Sequence, residues 1–122
     1  MKYLLDSVLV IDHLNGIRAA TEFLTDHAKA CAISVITRAE VLSGVADTDT
    51  PAIIDLHDLF PAFPITSDIA DVAARLRHSE RWKLPDAFQA ALAMQHGLTL
   101  VTRNTKDFHD GPQLRVRVPY RV

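Results

Sequence analysis

Apolar positions along this chain fall into two patterns that alternate from end to end. Short continuous runs at 2–5 (KYLL), 31–35 (CAISV) and 98–102 (LTLVT) have the length and composition of buried strands, and 114–118 (LRVRV) alternates as an edge strand does. Between them apolar residues recur at helical spacing. Such segments are 9–16 (LVIDHLNG), stopped by Gly16, then 19–30 (AATEFLTDHAKA) and 36–46 (ITRAEVLSGVA), with Gly44 near its end. Further on, 47–60 (DTDTPAIIDLHDLF) places Pro51 where a first helical position suits it, and 67–82 (SDIADVAARLRHSERW) has Ser67 as its predicted cap. The last, 84–97 (LPDAFQAALAMQHG), is opened by Pro85 and closed by Gly97. Pro61 and Pro64 break the chain around a short strand predicted at 63–66.

Continuous apolar strands separated by amphipathic helices predict a parallel sheet covered on both faces. The expected fold is therefore α/β, a three-layer α/β/α domain with a central parallel sheet of four to five strands. With 122 residues and 48% hydrophobic content, a single domain spanning 1–122 is expected. No repeat or low-complexity tract interrupts it. A net charge of −2 excludes the strongly basic type that coats nucleic acid without selectivity, so a nucleic-acid partner would have to be held locally. Cys31 is the only cysteine, which fits a reducing cytoplasm and leaves no internal disulfide. Asp6 and Asp12 break the opening apolar stretch, so it does not read as a signal peptide, and no apolar run is long enough to span a membrane.

In open parallel sheets ligands bind beyond the carboxyl ends of the strands. Four acids fall there. Asp6 follows the first strand, Glu40 lies one helical turn past the second, Asp86 opens the helix before LTLVT, and Asp107 follows that strand. Each has an ordinary alternative: Thr37 to Glu40 reads as a capping box, Asp86 as a first-turn acid, Asn104 and Asp107 as caps, and Asp6 as the cap of a helix near Val8. Taken together they repel one another unless a counter-charge is present. Carboxylate oxygens without a Cys/His cluster select Mg²⁺, or Mn²⁺ in its place, over Zn²⁺. The six histidines are scattered without metal-ligand spacing. Mg²⁺ shares its coordination with phosphate, so the matching chemistry is phosphoryl transfer or phosphodiester hydrolysis. Arg77, Arg81 and Lys83 before Asp86, with Arg103 and Lys106 beside the last strand end, are candidate contacts to RNA phosphates. Asp12 is expected on the wet face of its helix, and Trp82 is expected to pack a helix end.

The blocks YLLDSVLVIDHLNG, ISVITRAEVLSG, LPDAFQAALAMQHGLTLVTRNTKDF and LRVRVPY resemble, in order and spacing, a PIN domain of the VapC toxin type. The resemblance implies a metal-dependent endoribonuclease, the toxin of a type II toxin–antitoxin pair, partnered by a VapB-like antitoxin and forming dimers and larger complexes. By position it implies that Asp6 and Asp86 bind the metal, that Glu40 and Asp107 complete the acidic set, and that Asn104 supports it. Val8 stands where similar proteins commonly carry Asn or Ser, so a supporting hydrogen bond is either missing or supplied by Ser7. Two other readings compete: a phosphoacceptor domain of receiver type, which would need a pair of acids where Asp6 is followed by Ser7, and an inactive PIN domain that only binds RNA.

Overall fold

The computed structural model describes residues 1–106, 108 and 114–122; Asp107 and residues 109–113 lie outside the described set. Its elements follow the alternation of the sequence: β1 (Tyr3–Leu5), α1 (Ser7–Leu14), α2 (Arg18–His27), β2 (Cys31–Ser34), α3 (Val35–Ser43), α4 (Thr50–His57), β3 (Ala62–Phe63), α5 (Ser67–Glu80), α6 (Leu84–His96), β4 (Thr99–Val101) and β5 (Arg115–Arg117). All strand pairings are parallel, and the strand order is β3-β2-β1-β4-β5. The order therefore reverses beside β1. In a doubly wound sheet this switch point opens a crevice at the carboxyl ends of the two strands concerned, here β1 and β4.

Side-chain alternation sets the two faces. Leu4, Ala32 and Leu100 point to one side and pack with Ile69 and Ala73 of α5 and with Ala87, Ala90, Ala91 and Leu92 of α6. Tyr3, Leu5, Cys31, Ile33 and Val101 point to the other and meet Leu9 of α1 and Phe23 and Leu24 of α2. Small alanines let α6 lie close against the sheet. A third cluster of Val10, Val41 and Ile53 joins α1, α3 and α4. The three-layer α/β/α architecture expected from the pattern is present, with five strands.

Local details differ from the sequence reading, each for a specific hydrogen bond. Val35 opens α3 instead of ending β2, because the Ser34 hydroxyl accepts from Thr37 N at 3.0 Å. Ser34 is thus the cap, and the capping box read from Thr37 to Glu40 is absent. Thr66, not Ser67, caps α5, its hydroxyl accepting from Ile69 N. The short strand sits at Ala62–Phe63, not 63–66, since Ile33 N donates to Pro61 O and sets the register one residue earlier. The segment 28–30 tightens into a 3-10 turn after α2. Trp82 packs edge-on to Phe108, as a helix-end residue does.

One buried residue is left at a cost. His57, at the end of α4, is 1% exposed and neither ring nitrogen has a hydrogen-bond partner among the described residues. Desolvation, then the Arg38 charge, holds its pKa below the usual histidine value. The ring stays neutral in the fold but protonates in the unfolded chain below about pH 6.5, so stability falls as pH drops through that value. His57→Leu is expected to raise the melting temperature by roughly 3–6 °C, for about 1 kcal/mol, and by more at pH 5.5 than at pH 8. Circular dichroism melts at both pH values check this; a lower melting temperature at both would show that the ring is satisfied.

Candidate active site

The carboxyl ends of β1 and β4 open into a cavity of about 590 Å³. Its lining brings together Asp6, Ser7, Val8, Glu40, Lys83, Asp86, Arg103, Asn104 and Lys106 of the residues singled out from sequence, with Ile11, Pro85 and Thr105 beside them. Arg77 and Arg81 lie elsewhere, in a separate cavity with Ala74 and His78. Asp107 falls outside the described residues.

Asp6 is 6% exposed and terminates β1 while capping α1. Its backbone N–H donates to Val101 O at 2.9 Å, which ties it to the end of β4. One carboxylate oxygen accepts from Ser7 N at 2.8 Å, and the other accepts from the Thr102 hydroxyl at 2.8 Å. That hydroxyl in turn accepts from Asn104 N at 3.0 Å, so Asn104 supports the site through its backbone. The residue that caps α1 thus also lines the cavity. Asp86 sits in the first turn of α6, where the helix dipole favours a negative charge. Glu40 projects from α3 at the cavity edge. Desolvation and then the neighbouring Asp6 carboxylate push its pKa above the usual range, against a hydrogen bond from Ser7 that lowers it.

Asp12 is not on a wet face. It is 3% exposed, because the Arg103 guanidinium grips both its oxygens at 2.7 and 3.0 Å and the Tyr120 hydroxyl donates to it at 2.8 Å. The Arg103 hydrogen bonds hold the Asp12 pKa below the ordinary carboxylate value. This bond fixes Arg103, one residue after Thr102, and so fixes the segment that positions Thr102 against Asp6. Arg103, expected as an RNA contact, lines the cavity with its guanidinium engaged by Asp12.

The donor set suits a hard divalent cation. Asp6, Glu40 and Asp86 offer only oxygen, no His or Cys lines the cavity among the described residues, and burial, with the Asp6 charge adding to it, disfavours the ionised form of Glu40. Among the described residues no group of three or more His, Cys, Asp or Glu is set to hold an ion unaided. Mg²⁺ needs no such group, since one or two carboxylates with water and substrate phosphate complete its coordination.

Comparison with known proteins places this cavity in context. The PIN domain family matches residues 3–112. This chain belongs to the PIN-domain family. Among PIN-domain relatives, Ribonuclease VapC10 of Mycobacterium tuberculosis is 34% identical over 119 residues, covering 92% of this chain and 90% of that protein. A toxin–antitoxin complex from Klebsiella pneumoniae contains a chain with 36% identity and a TM-score of 0.86, covering 99% of this chain and all of its own. A chain of the DNA-bound VapBC complex from Salmonella typhimurium, 20% identical, shares the fold with a TM-score of 0.81 over 96% of this chain and 97% of its own. The PIN assignment displaces the receiver-type reading.

Thr102, Gln89, Asp12 and Tyr120 contribute to the PIN cavity or its support but carry no local sequence signal. Their partners are distant along the chain: Thr102 meets Asp6 across 96 residues. The Asp12–Arg103 pair yields a prediction. Arg103→Met strands a buried carboxylate and is expected to cost about 3 kcal/mol, whereas Tyr120→Phe costs about 1 kcal/mol. Because Asp12 has a depressed pKa, its contribution is complete above the unfolded value of about 4 and is lost as pH falls through the folded value. Urea denaturation from pH 7 to pH 3 checks this, with Asp12→Asn expected to flatten the acid limb. An unchanged acid limb would contradict the assignment.

Proposed function

We propose that this chain acts as a single PIN domain with Mg²⁺-dependent endoribonuclease activity, with Mn²⁺ able to substitute. It is the cytoplasmic toxin of a VapBC-like toxin–antitoxin pair, a homodimer that joins its VapB-like antitoxin in a larger complex. The observation that carries the reading is the meeting of Asp6, Glu40 and Asp86, from three separate elements, in one cavity rimmed by Lys83 and Lys106. The name of the 34% identical relative, Ribonuclease VapC10, supports the same activity, and the Klebsiella pneumoniae complex supports an antitoxin partner.

Asp6 and Asp86 would hold the cation, with Glu40 and Asp107 completing the acidic set. When bound, the cation supplies positive charge that favours ionised water and offsets charge on the phosphate. Glu40, with its proton affinity raised by burial and by Asp6, is suited to accept a hydrogen bond or proton from the attacking water. Thr102 and Ser7 N hold the two Asp6 oxygens in fixed directions. Lys83 and Lys106, at the rim, bind backbone phosphates on either side of the cleaved bond and offset the acidic floor. Arg77 and Arg81, with His78, extend this basic surface from the end of α5 and contact RNA farther from the cleavage point. Hydrolysis leaves a 5′-phosphate and a 3′-hydroxyl.

Purified protein is expected to cut single-stranded RNA with Mg²⁺ or Mn²⁺ and to stop on addition of EDTA. Asp6→Asn and Asp86→Asn are expected to lower the cleavage rate by at least about 100-fold. Single-turnover assays on labelled RNA, with melting curves to confirm folding, check this. Wild-type activity in either folded variant would overturn the assigned roles, and an inactive wild type that still binds RNA would favour the binding-only reading.

A further inference from the structure

Directly beneath the carboxylates lies a closed circuit of buried hydrogen bonds that the cleavage chemistry above does not use. Thr37 N donates to Ser34 Oγ at 3.0 Å, Ser34 Oγ donates to Gln89 Oε1 at 2.8 Å, and Gln89 Nε2 donates to Thr37 Oγ1 at 2.7 Å. Thr37 Oγ1 then gives its one proton to Leu5 O at 3.1 Å. Ser34 and Thr37 are fully buried and Gln89 is 1% exposed.

The circuit has one proton direction. The Thr37 hydroxyl proton goes to the β1 carbonyl, so Thr37 Oγ1 can only accept from Gln89, and the Gln89 amide must present Nε2 to it and Oε1 to Ser34. Reversing the amide would take the acceptor away from the Ser34 proton and leave Gln89 Oε1 and Leu5 O competing for the one Thr37 proton. A fully satisfied buried network of this kind is stiff, because every alternative arrangement strands a polar atom away from water.

Its members are spaced to match the acids. Leu5 immediately precedes Asp6 on β1, Thr37 lies one turn before Glu40 on α3, and Gln89 lies one turn after Asp86 on α6. The bonds span 32, 52 and 55 residues of sequence and join the three elements that carry the three carboxylates. Pairs three residues apart on a helix share a face, so a shift of either helix against β1 must break this circuit before it moves its acid.

We propose that Ser34, Thr37 and Gln89 are positioning residues that set the spacing of Asp6, Glu40 and Asp86 for a divalent cation. This rests on the cation-dependent nuclease reading above. The circuit holds the acids close against their mutual repulsion before any cation arrives, so the ion meets a preorganised site. Loss of the circuit lets the helices relax apart, which weakens ion binding and slows cleavage while leaving RNA contacts at the rim intact.

Three variants separate positioning from core filling. Thr37→Val keeps the shape and removes the hydroxyl, Thr37→Ser restores it, and Gln89→Met removes the amide at nearly constant volume. Mn²⁺ affinity of the full chain is measured by titration calorimetry at a temperature where circular dichroism shows each variant folded. Thr37→Val and Gln89→Met are expected to weaken Mn²⁺ binding by about tenfold or more, with Thr37→Ser within about twofold of wild type. In RNA cleavage, kcat is expected to fall with KM little changed. If Thr37→Val does not fold, Gln89→Met decides alone, since it leaves the bond to Leu5 O in place. Variants that melt lower but bind Mn²⁺ like the wild type overturn the positioning role and reduce the circuit to core packing. A wild type that binds no Mn²⁺ overturns the cation-site reading instead, a result that needs no variant to detect.

Discussion

Like charges held at the end of one strand are the constraint around which this molecule is organised. Asp6 is buried at the carboxyl end of β1, and Glu40 is close enough to feel its charge. Such an arrangement opposes folding unless neighbouring groups hold the carboxylates in place. The fold meets the constraint with backbone and hydroxyl donors: Ser7 N and Thr102 Oγ1 bond Asp6, and the nearby Ser7 side chain favours the ionised form of Glu40. The reversal of strand order beside β1 supplies the place, since it brings the segment after β4 next to the end of β1 and leaves a crevice between them.

Support for this region comes from two directions. From below, the Ser34–Gln89–Thr37 circuit ties α3 and α6 to β1. From the side, Asp12 on α1 holds Arg103 and Tyr120, which pins both the segment after β4 and the chain beyond β5. Both sets of bonds are buried or partly buried and join residues far apart in sequence. The PIN-type cavity is thus shaped by contacts that form only when the whole sheet is assembled, which makes its geometry as cooperative as the fold itself.

The sequence exposes the architecture and the acids but not what holds them. Continuous apolar runs at KYLL, CAISV and LTLVT mark the central strands, and the placement of Asp6, Glu40 and Asp86 just past strand ends or at a helix start is a local feature. Asp12 is different. As a charged residue in the short helix α1 it reads as a surface acid, and its burial depends on an arginine 91 residues away. Gln89 likewise sits among alanines that give no sign of its partners on α3. Cap positions shifted for a related reason: Ser34 and Thr37 both fit a helix start, and the tertiary bond from Thr37 to Leu5 O leaves Ser34 as the cap.

The proposed cation would be held where the carboxylates just after β1, on α3 and on α6 meet. Crystals grown with saturating Mn²⁺ and measured at the manganese absorption edge test this placement most directly, because the anomalous signal locates the ion without reference to activity. A peak is expected about 2 Å from the carboxylates of Asp6 and Asp86, on the side facing Glu40. An ordered cavity with no peak there, or a peak held only by other residues, would contradict the placement.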